Sequence, residues 1–159
     1  MILSTLCYIE NELGQYLMLH RVKKEHDANR DKWIGIGGKF EEGESPEECV
    51  VRETLEETGL TLTDYRYRGL VTFVSDRWET EYMHLFTADG YTGTLRECDE
   101  GVLEWIDKSA LMALPHWEGD RIFLELLDQD VPFFSLKLRY EGETLRQAVL
   151  DGRELEVGR

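Results

Sequence analysis

The chain has 159 residues, and its 33 acidic against 18 basic side chains leave a formal net charge of −15. Length points to one domain over 1–159 with a sizeable core, and 42% hydrophobic residues with three prolines argue against a disordered acidic tail. A surface this negative repels a polyphosphate backbone, which excludes a nucleic-acid polymer as partner and confines any anionic ligand to a spot where a cation or a few Lys and Arg reverse the field.

In chain order, alternation and β-branched content predict strands over residues 3–9 and 16–20. A glycine-rich stretch with Gly35, Gly37, Gly38 and Gly43 follows. A helix then opens at Ser45-Pro46-Glu47-Glu48, with serine as N-cap, proline in the first turn and Glu48 closing a capping box; Gly59 is a natural stop. Strands are expected over 67–75, 80–88 and 102–106, a short helix over 108–114 ended by Pro115, and an amphipathic helix over 119–127. A last strand falls at 133–140. Strands and helices interleave without repeats or linkers, so the expected class is α/β.

The opening residues carry no leading basic cluster, and no run of about 18 apolar residues occurs, so neither a secretory signal nor a membrane span is expected. Cys7, Cys49 and Cys98 lie far apart without a CxxC pair. These features lead to the expectation of a cytoplasmic protein, monomeric or homodimeric, with no membrane partner.

The chemistry concentrates in the segment GGKFEEGESPEECVVRETLEETGL. At about 100° per residue, Glu56 and Glu57 fall within about 60° of Glu53, while Val51 and Leu55 point to the other side. Arg52 stands four residues from both Glu48 and Glu56, spacing suited to an ion-pair ladder. Two unit charges about 4 Å apart repel by about 4 kcal/mol at an effective dielectric of about 20, so the three carboxylates either splay into water or gather a hard cation. Acids at this spacing commonly form a solvated face; the bare glycine loop ahead of them favours a site. Oxygen donors in this number suit magnesium, with manganese as the alternative, and magnesium shares its coordination with substrate phosphates.

These residues resemble the Nudix box, G-x5-E-x7-R-E-U-x-E-E-x-G-U, over 38–60: Gly38, Glu44, Arg52, Glu53, Glu56, Glu57, Gly59 and Leu60 stand in register. Thr54 departs at the first aliphatic position, a change expected to alter helix packing more than chemistry. The resemblance implies an α/β/α sandwich with a mixed β-sheet between helices, and metal-dependent hydrolysis of a nucleoside diphosphate linked to another group. It also implies metal ligation by Glu53, Glu56, Glu57 and the Gly37 carbonyl, with Glu44 and Arg52 orienting them. Glu53 is the first choice for the base that activates water.

Beyond the box the chain is similar to the MutT-like group of Nudix enzymes that clean nucleotide pools by hydrolysing oxidised purine triphosphates. Trp33, the run Tyr82-Met83-His84-Leu85-Phe86, the run Glu97 to Glu100, and Trp117 to Asp120 carry that likeness loosely. It makes Glu100 a candidate further ligand or base, with an ordinary loop acid as the alternative. Base recognition in that group uses an asparagine after the first tryptophan and two adjacent aspartates after a Trp-Pro pair. Here the positions hold Ile34 and Trp117-Glu118-Gly119-Asp120. Trp117 and Asp120 remain as candidates for stacking and edge contact, against the plainer roles of core residue and helix cap.

Lys39, inside the glycine loop, and Arg21, Lys23 and Lys24, after the second strand, are the candidate phosphate contacts. Residues 25–32 form a candidate lid. No G-x-S-x-G elbow and no Gly-Lys-Ser/Thr loop occurs, which excludes a serine hydrolase and a P-loop kinase. The expected activity is release of a nucleoside monophosphate and pyrophosphate from a nucleoside triphosphate of the 8-oxo-dGTP kind. ADP-ribose or nucleotide-sugar hydrolysis, and a catalytically silent ligand-sensing module, are the alternatives.

Overall fold

The computed structural model describes residues 1–157. Its elements are β1 (Ile2–Ile9), β2 (Gln15–His20), β3 (Trp33–Ile34), α1 (Pro46–Thr58), β4 (Leu60–Ser75), β5 (Glu81–Gly93), β6 (Val102–Asp107), a 3-10 turn (Lys108–Ala113), α2 (Asp120–Asp128), β7 (Phe134–Glu141), β8 (Thr144–Leu150) and β9 (Arg153–Leu155). One sheet has the order β1-β5-β4-β7-β8-β9, and a smaller one the order β3-β2-β6. Pairing is mixed: β1 with β5 and β4 with β7 are parallel, and the remaining pairs antiparallel.

Strand alternation divides the interior in two. Along β1, Tyr8 faces one apolar cluster with Phe73, Trp117, Phe123 and Tyr140, whereas Cys7 and Ile9 face another with Val50, Leu62 and Phe86. In β2, Tyr16 and Met18 join the first cluster, Leu17 and Leu19 the second. Sheets buried on both sides are what helices on opposite faces require. In β4 the buried set shifts from Leu60 and Leu62 to Val71 and Phe73 because register shifts intervene between Leu62 and Gly69, each moving side chains to the other face.

The helix α1 starts as its sequence dictates. The Glu48 N–H donates to Ser45 Oγ at 3.1 Å, and the Ser45 N–H donates to Glu48 Oε1 at 2.9 Å. That use of Glu48 removes one rung of the expected ladder: Glu48 caps the helix, while the other rung, Arg52 to Glu56, forms. At the far end Gly59 sits at φ 83°, and Arg96 Nη2 donates to the Leu55 and Glu56 carbonyls, each at 2.7 Å, placing a cation at the negative end of the helix.

The buried face of α1 also differs from expectation. Cys49, Val50, Thr54, Glu57 and Thr58 are its buried residues, whereas Leu55 is 44% exposed. Thr54 occupies the core position that the family pattern gives to an aliphatic residue. A face this polar admits a carboxylate at its margin, with consequences for Glu57.

Candidate active site

The glycine stretch runs antiparallel to the free edge of β1. Ile36 and Cys7 exchange backbone hydrogen bonds at 2.6 and 2.9 Å, and the Thr5 N–H donates to the Gly38 carbonyl at 2.9 Å. A Cβ on Gly37 would stand 1.8 Å from the Thr5 carbonyl oxygen, so the contact excludes any side chain. A Cβ on Gly38 would stand 2.2 Å from Glu53 Oε2, which places the Glu53 carboxylate directly against the loop.

Arg52 ties helix to loop. Its Nε donates to Glu44 Oε2 at 2.6 Å and its Nη2 to Glu44 Oε1 at 2.9 Å, a bidentate pair; Nη2 also reaches the Lys39 carbonyl at 3.0 Å. Nη1 donates to Glu53 at 3.0 Å and to Glu56 at 2.9 Å. Hydrogen bonds from Arg52, then from the Glu41 backbone, hold the Glu44 carboxyl down at about 2, so Glu44 stays ionised as an anchor. The pairs with Glu44 and Glu53 in turn raise the Arg52 pKa above its already high ordinary value.

The three helix carboxylates occupy different environments. Glu56 is exposed and leans on Arg52. Glu53 is half-buried; desolvation raises its pKa, while Arg52 pulls it down and Glu56 and Glu100 add to the rise. Glu57 is 7% exposed, and its oxygens make no well-formed hydrogen bond, the Gly37 backbone N–H being turned toward them without meeting bonding geometry. Burial first, then Glu100 and Glu53, push its carboxyl up to about 8, with Arg21 and the Gly37 amide opposing.

Of these three acids Glu53 borders a cleft of about 520 Å³, which is also lined by Gly37, Gly38, Lys39 and Glu100 and by apolar and aromatic groups including Tyr8, Phe73 and Trp117. Arg21 bridges two walls: Nη1 pairs with Glu100 at 2.6 Å and Nε with Asp27 at 2.8 Å. Trp117 is 6% exposed, packs edge-on against Phe73 and Tyr140, and carries Lys32 Nζ 4.4 Å from its ring centre. Asp120, in the first turn of α2, accepts from the Trp117 N–H at 3.3 Å; burial pushes its carboxyl up to about 7, against the pull of that N–H and of Lys32.

Comparison with known proteins places this arrangement. The Nudix domain family model matches residues 2–127. The chain belongs to the Nudix hydrolase family. An uncharacterized Nudix hydrolase of Bacillus subtilis is 38% identical over 103 residues, 62% of this chain and 65% of that protein, so the chain matches just under two thirds of that relative's length. The oxidized purine nucleoside triphosphate hydrolase of Danio rerio is 36% identical over 121 residues, 75% of this chain and 76% of that one. The crystal structure of a MutT protein from Bacillus halodurans superposes with a TM-score of 0.82 at 26% identity, covering 95% of this chain and 98% of that one. The expected α/β class with a mixed sheet and flanking helices is the observed one.

Within the Nudix box, the structure brings Glu44, Arg52, Glu53 and Glu56 together through the guanidinium, with Glu57 behind them and Glu100 close enough to perturb both Glu53 and Glu57. Among the described residues, no three acidic, His or Cys side chains form a ready metal cage. Lys39 and Lys24 line the cleft, whereas Lys23 donates to the Cys98 carbonyl at 2.7 Å. Trp117 is a core residue that also lines the cleft; Asp120 lines the cleft too but is not the helix cap expected as its plainer role, since Gly119 holds the N-cap position with no side-chain cap bond. Residues 25–32 are held by Arg21 to Asp27, Arg30 to the Lys24 carbonyl, and Trp117 Nε1 to Asn29 Oδ1.

Two cleft features escaped the sequence reading. The apolar wall of Tyr8, Phe73, Leu138 and Tyr140 comes from strands distant in sequence, and no spacing signals it. Asn29 has a weak local signal: the Asp27-x-Asn29 pattern closes a turn in which the Asn29 N–H donates to Asp27 Oδ1 at 3.0 Å. No described helix is long and apolar enough to cross a membrane.

Proposed function

We propose that this Nudix hydrolase is a divalent-metal-dependent nucleoside triphosphate pyrophosphohydrolase, acting on oxidised purine deoxynucleotides of the 8-oxo-dGTP kind. It releases a nucleoside monophosphate and pyrophosphate. The carrying observation is Glu57: a buried carboxyl group whose oxygens lack a well-formed hydrogen bond, near enough to Glu53 and Glu100 to feel both, and these two acids line a cleft shared with Trp117 and Asp120. Buried carboxylate oxygens are ordinarily satisfied, and a pair without well-formed bonds among other acids fits a hard cation.

Glu57, Glu53 and the Gly37 carbonyl would hold magnesium or manganese, with Glu56 and Glu100 at its margin; the bound ion supplies charge neutralisation for the diphosphate and a lowered pKa for water. The chain's own residues supply the rest. Glu44 fixes Arg52, and Arg52 fixes both the Lys39 carbonyl and the Glu53 carboxylate, so loop and helix meet in one geometry. Glu53, its pKa raised by partial burial, accepts a proton from the attacking water. The water oxygen bonds to the α- or β-phosphorus, the P–O bond of the α–β bridge breaks, and its electron pair leaves on pyrophosphate or on the nucleoside monophosphate respectively. Lys39, Lys24 and Arg21 hold phosphate oxygens. Trp117 and Asp120 contact the base.

The likeness to the Danio rerio oxidized purine nucleoside triphosphate hydrolase supports this substrate class. The reading carries the expectation of a cytoplasmic enzyme acting on free nucleotides. A panel of 8-oxo-dGTP, dGTP, dATP, ADP-ribose and a dinucleoside polyphosphate, assayed with magnesium and with manganese, tests it. Highest kcat/KM on a triphosphate upholds the proposal. ADP-ribose turnover without triphosphate hydrolysis overturns it, and no turnover on any substrate makes the chain a silent binding module.

A further inference from the structure

Besides the carboxylates, the cleft is lined by a polar pair flanking one indole. Trp117 Nε1 donates to Asn29 Oδ1 at 2.8 Å, and the Trp117 backbone N–H donates to Asp120 Oδ2 at 3.3 Å. Both Asn29 and Asp120 line the cleft. An indole N–H can only donate, so its partner must be the amide oxygen, and this settles which way the Asn29 amide faces. Its NH2 group then has a fixed direction, and among the described residues it donates to no protein atom.

The Asn29 backbone is equally constrained. Its N–H is held by Asp27 Oδ1 at 3.0 Å, its carbonyl accepts from the Lys32 N–H at 2.8 Å, and Asp27 is clamped by Arg21 at 2.8 Å. A short side chain locked at both ends keeps its unused donor with little entropy left to lose on binding. Sequence position gives no hint of this: the chain has Ile34, not an amide, after Trp33, and Asn29 arrives from a different segment.

We propose that Asn29 is a specificity-determining residue: its amide NH2 donates to an acceptor on the edge of the bound base, a keto oxygen giving the strongest contact, while Asp120 meets a neighbouring N–H. The inference rests on the nucleotide reading above and deepens it. A donor beside a carboxylate selects a base presenting C=O next to N–H, the lactam edge of guanine-type and oxidised purines, and penalises a base that offers an amino group at the position the amide occupies.

The test replaces Asn29→Asp. The substitution is isosteric and keeps an oxygen for Trp117 Nε1, yet turns the base-facing donor into an acceptor. Metal-free Kd values for dGMP and dAMP are read by tryptophan fluorescence, and kcat/KM for dGTP and dATP with magnesium; Asn29→Ala runs alongside, with Tm recorded for each. The expected result is a change of at least tenfold in the dGMP to dAMP affinity ratio in Asn29→Asp, against the keto base, with a smaller change in Asn29→Ala and the same trend in kcat/KM. An unchanged ratio in a folded variant overturns the role of Asn29. A wild-type enzyme that hydrolyses ADP-ribose but no triphosphate overturns the functional reading instead, and this inference with it.

Discussion

Replacing Glu57 by glutamine removes a carboxyl group that the fold keeps mostly protonated at pH 7, whereas the unfolded chain ionises it. The carboxyl sits at about 8 against an ordinary 4.5, so keeping it folded at pH 7 costs roughly 3 kcal/mol at about 1.4 kcal/mol per pH unit. The sign follows from tighter proton binding in the folded state: the stabilisation is complete below pH 4.5 and is lost as pH rises through about 8. Glutamine keeps the shape but leaves a buried amide short of partners, at a cost of about 1–3 kcal/mol, so the net gain at pH 7 is small and the pH slope is the diagnostic. Urea unfolding at pH 5, 7 and 8.5 in EDTA measures it. Wild type should lose stability relative to Glu57→Gln across this range by roughly 3 to 4 kcal/mol, and magnesium should recover more stability for wild type than for the variant. A difference between the two proteins that stays constant with pH refutes the reasoning.

Glu53→Gln should lower kcat by two or more orders of magnitude while magnesium still raises Tm; near-normal turnover would assign the base elsewhere. Arg52→Lys keeps the charge but loses the fork that grips Glu44 and the Lys39 carbonyl, so kcat should fall at least about tenfold and Tm by several degrees, read by steady-state kinetics and thermal melts. Gly37→Ala sets a methyl group 1.8 Å from the Thr5 carbonyl, forcing the loop off β1; activity should fall by about a hundredfold or more, with stability reduced by at least about 2 kcal/mol in urea titration.

What the sequence disclosed, it disclosed through local chemistry. The helix α1 was bounded correctly because Ser45, Pro46, Glu48 and Gly59 act within a few residues of themselves. The ion-pair ladder failed at Glu48 for the same reason: a cap hydrogen bond competes for the same carboxylate, and helical spacing cannot say which wins. β3 has two residues and no periodicity to detect, while β8 and β9 hide behind polar runs such as Arg146-Gln147 and exist because β7 offers them an edge. The front half of β4 was missed because residues 60–66 follow the helix directly and alternate through register shifts.

The site shows the same division. Residue spacing put Glu53, Glu56 and Glu57 on one face of a helix, but their separate fates depend on what packs above them. Glu57 lies toward the core beside Thr54 and Thr58, Glu53 rests on Gly38, and Glu56 reaches only Arg52 and water. A helical wheel holds no information about the strand that lies across it. The contact of Asn29 with Trp117 is unreadable on the same ground, since its partner is 88 residues away, and only the turn with Asp27 leaves a local trace.

Product analysis decides most directly. Purified enzyme incubated with 8-oxo-dGTP and magnesium, resolved by ion-exchange chromatography beside an EDTA control, should yield the nucleoside monophosphate and pyrophosphate in equal amounts and nothing in EDTA. Release of inorganic phosphate with a nucleoside diphosphate, or turnover indifferent to EDTA, contradicts a triphosphate pyrophosphohydrolase built around those buried acids.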